Sequence, residues 1–243
     1  MIEAKGINIS FGGKNLFAKD ITIKLEDKQF TLLYGPSGSG KTTLFEILAV
    51  LNLPSKGEIR WGDELVDSLN YANKNRFYHI TTIYSVFNFI ETLSIKDNIL
   101  LPALFAKESN IEEMLKGLEE LFVFKDIDGE KSQIDLKDLM KKNISDLSNG
   151  QKEIIAISRA LLLSKPKYLF ADELLRSFNE ELEEIIWEKI LSFLVKYDKS
   201  LFMITHKKHL AKSLIKFIED KSKNTNETKS RILTIEKHKL VEK

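Results

Sequence analysis

Residues 29–48 read QFTLLYGPSGSGKTTLFEIL, and three local signals follow one another within them. The apolar run QFTLLY predicts a buried strand, and the segment that starts at Lys41 predicts a helix. Between them GPSGSGKT, residues 35–42, fits the pattern G-x-x-x-x-G-K-[ST]. Glycines let backbone N–H groups curve around a phosphate, and the amino end of the helix adds a partial positive charge. The segment therefore predicts a strand–loop–helix unit that binds a nucleotide phosphate, with a plain Gly/Ser-rich turn as the alternative.

The loop residues have expected parts in binding. Lys41 is expected to reach the β- and γ-phosphates, and the hydroxyl of Thr42 is expected to ligate Mg²⁺. The residues expected to contact the nucleotide are Gly35, Pro36, Ser37, Gly38, Ser39, Gly40, Lys41, Thr42 and Thr43.

Two further apolar runs end in residues that carry chemistry. YLFADE, residues 168–173, ends in adjacent carboxylates, and SLFMITH, residues 200–206, ends in a histidine. Asp172 is expected to hold Mg²⁺, mostly through water, and Glu173 to polarise the attacking water as general base. A strand that ends in an acidic turn, and a merely structural His206, are the alternatives. In an open parallel sheet ligands lie at the carboxyl ends of strands, so these residues can converge with the loop on one phosphate.

The segment DLSNGQKE, residues 146–153, begins another amphipathic helix whose amino end suits an anion. The simpler interpretation is a helix cap, formed by Ser148 or Asn149. A second phosphate-binding helix start in one domain has a use if it serves the nucleotide of another copy.

Strands and helices alternate along the chain, which predicts an α/β fold. An antiparallel β portion near the amino terminus is predicted by INISF, DITIKL and the hairpin SKGEIRWGDELV. From about residue 88 to 148 the sequence pattern becomes that of helices. IEEMLKGLEELFVF, residues 111–124, predicts a helix with a core-facing apolar stripe. The stripe consists of Ile111, Met114, Leu115, Leu118 and Phe122. Residues 220–231 are polar and predict a solvated loop or the tip of a hairpin.

Composition excludes several classes of protein. The chain has 243 residues, of which 43% are hydrophobic and 30% charged, as in soluble globular proteins. A net charge of +1 gives no basic surface that would indicate a nucleic-acid partner. The absence of cysteine excludes disulfides and thiolate chemistry. The first ten residues have no apolar core of a secretory signal, and no apolar run approaches the ~18 residues of a membrane span, so a membrane role would need a partner.

Taken together, GPSGSGKTT, LSNGQ, YLFADE and ITH resemble, in order and spacing, the nucleotide-binding subunit of ABC transporters. Three further segments resemble the same family, namely SKGEI, LSIKDNILLP and AISRALL. The resemblance runs from about residue 7 to 240. NILLP is similar to the lipoprotein-release and macrolide-export group. The resemblance implies a single ABC ATPase domain over 1–243 with a P-loop NTPase core of mostly parallel sheet, 1–87 and 149–243, and an inserted α-helical subdomain, 88–148.

The same resemblance implies a function. Two copies, identical or different, would bind head to tail and trap ATP with Mg²⁺, and hydrolysis would drive a separate integral-membrane permease subunit. Catalysis would fall to Glu173, His206 and Lys41, in a subunit held on the cytoplasmic face of the plasma membrane by its permease. Contacts with the nucleotide beyond the loop would come from Phe11, which stacks on adenine, and, across the dimer, from Ser148, Asn149, Gly150 and Gln151.

The sequence departs from the family at two places. Ser85 stands where the family has a glutamine that reaches Mg²⁺, and its hydroxyl is expected to offer the ion an oxygen with a shorter reach. Asn179 stands where the family has an aspartate that crosses the dimer interface. These changes keep open an alternative function, an ATP-gated dimerising or regulatory module with weak hydrolysis. A small-molecule kinase has no need of LSNGQ, and a chromosome-organising ATPase head needs a long coiled coil for which this chain has no heptad run.

Overall fold

The computed structural model of the chain describes residues 1–84, 87–124, 134–222 and 229–242. The chain divides into two compact units. We call Met1–Thr82, Pro166–Glu173 and Leu194–Lys243 the core unit, and Ile83–Lys165 with Leu174–Phe193 the helical unit. The helical unit begins near the predicted residue 88 but extends beyond 148 to take in the helix that follows LSNGQ. The predicted boundaries of the subdomain stay a prediction.

The strands, in chain order, are β1 Ile2–Asn8, β2 Ser10–Phe11, β3 Lys14–Asn15, β4 Ile21–Leu25, β5 Gln29–Tyr34, β6 Lys56–Trp61, β7 Glu64–Leu65, β8 Ile80–Ile83, β9 Val123–Phe124, β10 Ile134–Asp135, β11 Tyr168–Asp172, β12 Ser200–Thr205, β13 Lys229–Glu236 and β14 Lys239–Glu242. The helices are α1 Lys41–Leu48, α2 Leu69–His79, α3 Ile95–Phe105, α4 Ile111–Leu121, α5 Leu136–Leu139, α6 Asn149–Leu161, α7 Glu180–Lys196 and α8 Lys208–Ser222.

A six-stranded sheet with the order β14-β13-β5-β12-β11-β8 forms the centre of the core unit. The pairs β13–β5, β5–β12 and β12–β11 are parallel. All six residues of β12 are buried, as expected for a strand that is covered on both faces. Tyr34 pairs with Thr205, and Ile204 pairs with Asp172, so β5, β12 and β11 end at the same edge. The α/β fold with a mostly parallel sheet is therefore confirmed.

A second, antiparallel sheet with the order β4-β1-β6-β7 accounts for the predicted amino-terminal β portion. Gly57 lies where β6 crosses a bulge of β1, with a φ of 89°. A β-carbon at this position would come within 2.5 Å of the carbonyl oxygens of Lys5 and Gly6. Only glycine therefore allows this close approach.

Three phenylalanines join α1 to the parallel sheet. The ring centroid of Phe45, on α1, lies 5.4 Å from that of Phe170 on β11, and the rings meet edge to face. Phe170 lies 5.1 Å from Phe202 on β12, and all three side chains are fully buried. Because aromatic burial contributes strongly to core stability, this cluster fixes α1, and with it the loop before α1, against the strands.

In the helical unit the predicted stripe of α4 faces the interior. Met114, Leu118 and Phe122 are at most 1% exposed, whereas Ile111 and Leu115 are half-buried. The predicted helix was too long, because α4 ends at Leu121 and the next residues form β9, which pairs with β10.

Both ends of the polar segment 220–231 belong to regular secondary structure, contrary to the prediction of a loop throughout. The helix α8 continues to Ser222, since Ile218 in its last turns is still buried, and β13 begins at Lys229, where it pairs with Gln29. Residues 223–228 lie outside the described residues. Across the part of the chain that the structure describes, no helix is long and apolar enough to cross a membrane.

Candidate active site

The loop between β5 and α1 leaves the amino end of α1 open. Gly38 and Gly40 have φ values of 76° and 99°, in the left-handed region. Gly40 is the N-cap residue of α1 and offers no side chain to the first N–H groups of the helix. A β-carbon on Gly40 would also lie 3.0 Å from Cε1 of Phe17. The first N–H groups of α1 therefore keep their hydrogen-bonding capacity for an anion.

Lys41 folds back over this loop. Its Nζ donates hydrogen bonds to the carbonyl oxygens of Gly35 and Pro36, each at 2.9 Å, and the residue is 6% exposed. Burial lowers the pKa of Lys41, and the negative charge of Asp172 opposes that shift. The ammonium group thus lies inside the loop and within electrostatic reach of Asp172.

Ser39 provides an independent test of whether a phosphate fits. Its hydroxyl oxygen is buried and, among the described residues, has no hydrogen-bond partner. An orphaned buried hydroxyl is costly unless something else completes its hydrogen bond. Ser39, the open N–H groups of α1 and the Lys41 ammonium form a set of donors, and a triphosphate is a set of acceptors. The residues present therefore fit the polyphosphate of ATP.

The ends of β11 and β12 bring Glu173 and His206 together. The N–H of Glu173 donates to the carbonyl of Ile204 at 3.1 Å, which extends the pairing of β11 with β12 by one residue. Oε1 of Glu173 lies 3.3 Å from Nδ1 of His206. The φ of Glu173 is +45°, a conformation that residues with a β-carbon adopt rarely and that occurs preferentially at functional sites.

The metal site that the sequence predicts would have few protein ligands. Among the residues that the structure describes, no group of three or more His, Asp or Glu side chains could hold a metal ion. Mg²⁺ bound with a nucleotide typically takes one or two protein ligands and completes its shell with phosphates and water. Thr42, in the first turn of α1, and Asp172 are two oxygen-bearing residues of this kind, and their role as ligands stays a prediction. Ser85 lies outside the described residues, as does the side chain of Phe11.

In the helical unit, LSNGQ forms the capped start of α6. Oγ of Ser148 accepts from the N–H of Gln151 at 3.2 Å, and Oε1 of Gln151 accepts from the N–H of Ser148 at 3.1 Å. This reciprocal pair is a capping box. The simpler interpretation, a cap at Ser148, thus describes the chain by itself. Contact of Ser148, Asn149, Gly150 and Gln151 with a partner's nucleotide stays a prediction.

Asn179 keeps a structural role. Its Oδ1 accepts a hydrogen bond from the N–H of Leu182 at 2.9 Å, and its carbonyl accepts from the N–H of Glu183 at 2.9 Å. These are the bonds of an N-cap residue, here at the start of α7. Because asparagine and aspartate cap helices about equally well, the departure from the family at Asn179 preserves the local geometry.

Sequence reasoning missed a buried carboxylate on α6. Glu153 is 3% exposed, and it accepts hydrogen bonds from the backbone N–H groups of Ser177 and Arg176. Burial raises the pKa of Glu153 to about 7. A signal was present in the sequence, because Glu153 falls three residues after Gly150 and four before Ile157, on the buried face of an amphipathic helix. A carboxylate on such a face requires a partner.

Comparisons with known proteins agree with this site. The family model described as ABC transporter matches residues 18–176. The chain is 30% identical over 212 residues to an ABC transporter ATP-binding protein of Bacillus subtilis, YxdL, covering 85% of this chain and 77% of the relative. It is also 30% identical over 226 residues to the macrolide export ATP-binding/permease protein MacB of Mannheimia succiniciproducens, covering 91% of this chain and 33% of that longer protein.

Among solved structures, the fold matches a dimeric post-hydrolysis state of the ATP-binding cassette MJ0796 bound to ADP and Pi. The TM-score is 0.74 at 22% identity, over 100% of this chain and 98% of the other. The comparisons favour the ATPase over the alternative of a dimerising module with weak hydrolysis. The chain therefore belongs to the ABC transporter family, as an ATP-binding subunit and an ATPase that acts on ATP with Mg²⁺.

Proposed function

We propose that two such subunits bind head to tail, hydrolyse ATP at their interface and thereby drive a separate integral-membrane permease. The observation that carries this proposal is the placement of Glu173. Its strained backbone sets the carboxylate at the carboxyl edge of the parallel sheet, 3.3 Å from the Nδ1 of His206. The phosphate loop follows β5 at the same edge. The base after β11 and the phosphate cradle after β5, with β12 between these two strands, lie at one edge of the sheet, and hydrolysis of a phosphoanhydride requires both groups.

We assign one role to each residue of this site. Glu173 accepts a proton from the attacking water, and His206 holds the carboxylate in place through Nδ1. Lys41 exchanges its two loop carbonyls for phosphate oxygens and stabilises the charge that develops on them. Thr42 and Asp172 are the residues that would hold Mg²⁺, which supplies Lewis-acid polarisation of the phosphates when it is bound.

The second half of each site would come from the partner copy. The amino end of α6, with Ser148 and Gly150, would meet the γ-phosphate held in the other copy's loop. The MJ0796 cassette, which is a dimer bound to ADP and Pi, supports this arrangement by analogy. ATP would shift such a dimer toward the closed state only through its higher affinity for that state.

The permease would hold this subunit on the cytoplasmic face of the plasma membrane. We place the subunit with the macrolide-export and lipoprotein-release group, a placement that the MacB relative supports. A relative named for methionine import also matches this chain, so the permease rather than this subunit would determine cargo and direction.

The experiment compares wild type with Glu173→Gln. Phosphate release and ATP-dependent dimerisation, by size exclusion with Mg²⁺, are measured with and without the permease. Wild type should release phosphate, and Glu173→Gln should lose about 10²-fold or more in rate and remain dimeric with ATP trapped. Wild type that releases no phosphate even with its permease would refute the proposal.

A further inference from the structure

Two contacts in the helical unit join the first turns of α6 to the segment 174–179. The ring of Phe178 lies against Gly150, since a β-carbon there would be 2.8 Å from Cζ of that ring. One turn further along α6, the carboxylate of Glu153 accepts hydrogen bonds from the backbone N–H groups of Ser177 and Arg176. Positions three residues apart share one face of a helix. The two contacts therefore form a continuous junction between α6 and this segment.

The segment 174–179 needs restraints of this kind. It follows Glu173 directly in the chain, and both Glu173 and Leu175 have positive φ, at 45° and 64°. Such conformations persist only where surrounding contacts enforce them. At its far end the segment is fixed by Asn179, which caps α7. Between these points the backbone N–H groups of Arg176 and Ser177 are bound by a side chain of α6.

Glu153 is an unusual group for this task, because its carboxylate is buried with charges on several sides. Glu183 of α7 faces it with a like charge, and Arg176 faces it with an opposite one. Glu91 and Lys152 line the same cavity, which has a volume of about 590 Å³. One carboxylate oxygen, Oε2, has no hydrogen-bond partner among the described residues. A buried carboxylate lowers the stability of the fold unless its hydrogen bonds compensate, and its presence here therefore points to a use for those hydrogen bonds.

We propose that Glu153 is a positioning residue for ATP hydrolysis, which fixes the segment after Glu173 against the turn of α6 that carries Ser148 and Gly150. This inference rests on the proposed function. Glu153 does not touch the nucleotide. It holds the stretch of chain between the catalytic carboxylate and α7 in register with the helix start that would meet the partner's γ-phosphate. Loss of its hydrogen bonds lowers kcat while the phosphate loop, and so the affinity of one subunit for ATP, is unaffected.

The test uses two substitutions at Glu153 and a matched control. Glu153→Gln keeps an acceptor oxygen for the two N–H groups, whereas Glu153→Met keeps the size and removes the acceptor. Glu113→Met, at an exposed glutamate on α4 of the same unit, serves as control. ATP binding, phosphate release and thermal unfolding are measured from about pH 5.5 to about pH 8.5, a range that spans the raised pKa of Glu153.

We expect Glu153→Met to lower kcat roughly tenfold or more with the KM for ATP changed less than about threefold, and Glu153→Gln to restore most of kcat. Below about pH 7 the activity of the wild type falls toward that of Glu153→Gln, whose own profile does not show this step, because burial raises the pKa of Glu153 to about 7 and protonation weakens its hydrogen bonds to those of a neutral acceptor. Glu113→Met behaves as wild type.

Three outcomes would overturn the inference. In the first, a folded Glu153→Met has wild-type kcat. In the second, Glu153→Gln loses as much kcat as Glu153→Met. If Glu153→Met fails to fold, the pH profiles decide, and identical profiles for wild type and Glu153→Gln refute the role. A wild type with no phosphate release refutes the proposed function itself, whereas turnover that is indifferent to Glu153 refutes only this inference.

Discussion

The ring of Phe178 lies directly on Gly150, and a β-carbon at Gly150 would come within 2.8 Å of Cζ and 3.1 Å of Cε1. Gly150 is the second residue of α6 and lies two residues after the Ser148 cap. Within this chain the glycine of LSNGQ is thus required by an aromatic ring, in addition to any requirement that a partner's nucleotide makes on it.

We predict that Gly150→Ala destabilises the wild type but not a Phe178→Leu background. The new methyl group meets the ring and costs about 1–2 kcal/mol, whereas alanine gains about 1 kcal/mol over glycine in a helix. In the Phe178→Leu background the smaller side chain leaves room for the methyl group, so only the stabilising effect of alanine on the helix remains. Chemical unfolding of the two single variants and the double variant gives the coupling energy, expected at roughly 1–2 kcal/mol. Additive effects would show that the ring does not press on Gly150.

Ser39→Ala is expected to separate folding from binding. The mutation removes a buried hydroxyl without a hydrogen-bond partner among the described residues, so the free energy of unfolding without nucleotide should stay equal or rise by up to about 1 kcal/mol. Affinity for ATP should fall about 3- to 10-fold, because the hydroxyl no longer donates to a phosphate. Thermal unfolding with and without ATP–Mg²⁺ checks both. A protein that loses stability but keeps its ATP affinity would contradict the prediction.

Lys41→Met should weaken ATP binding by about 10- to 100-fold, the usual worth of a hydrogen bond from a charged group. The carbonyl of Pro36 belongs to an exposed residue, and water can replace its lost partner, whereas Gly35 is buried and its carbonyl loses a hydrogen bond. The free energy of unfolding without nucleotide should therefore fall by about 1 kcal/mol. Titration with a fluorescent ATP analogue, alongside Lys208→Met as a control at an exposed lysine, measures the loss.

Glu153→Gln should change the pH dependence of stability. The pKa of this carboxyl is near 4.5 in the unfolded chain and about 7 in the fold. The folded state therefore binds the proton more tightly, and the stability linked to it is complete below about pH 4.5 and lost as the pH rises through about 7. The variant has no such group. Its free energy of unfolding relative to wild type should rise from about pH 5 to about pH 8 by roughly 1–2 kcal/mol, allowing for screening at the cavity.

Chemical unfolding at four pH values, from about 5 to about 8, measures this difference. Glu113→Gln, at an exposed position, should show a constant offset from wild type across the same range. A constant offset for Glu153→Gln as well would mean that Glu153 titrates in the fold as it does in the unfolded chain.

Much of this protein could be derived from short stretches of sequence, because the physics involved is local. The spacing of glycines before Lys41 determines a loop that exposes N–H groups, and short apolar runs determine buried parallel strands. Strands that are buried on both faces and end in Asp172–Glu173 and in His206 must bring those groups to one edge of the sheet. The structure does so, with Glu173 and His206 3.3 Å apart.

Other features depended on contacts between residues distant in the chain, and the tertiary structure alone decided them. Nothing local to LSNGQ indicates that Phe178 covers its glycine, or that Arg176 and Ser177 donate to a carboxylate more than twenty residues earlier. The helix period placed Glu153 on the buried face of α6, but its partners are backbone N–H groups, which every residue except proline carries and which no sequence pattern marks. Burial and the neighbouring Glu183 then raise the pKa of Glu153, so its charge near neutral pH follows from packing rather than from residue type.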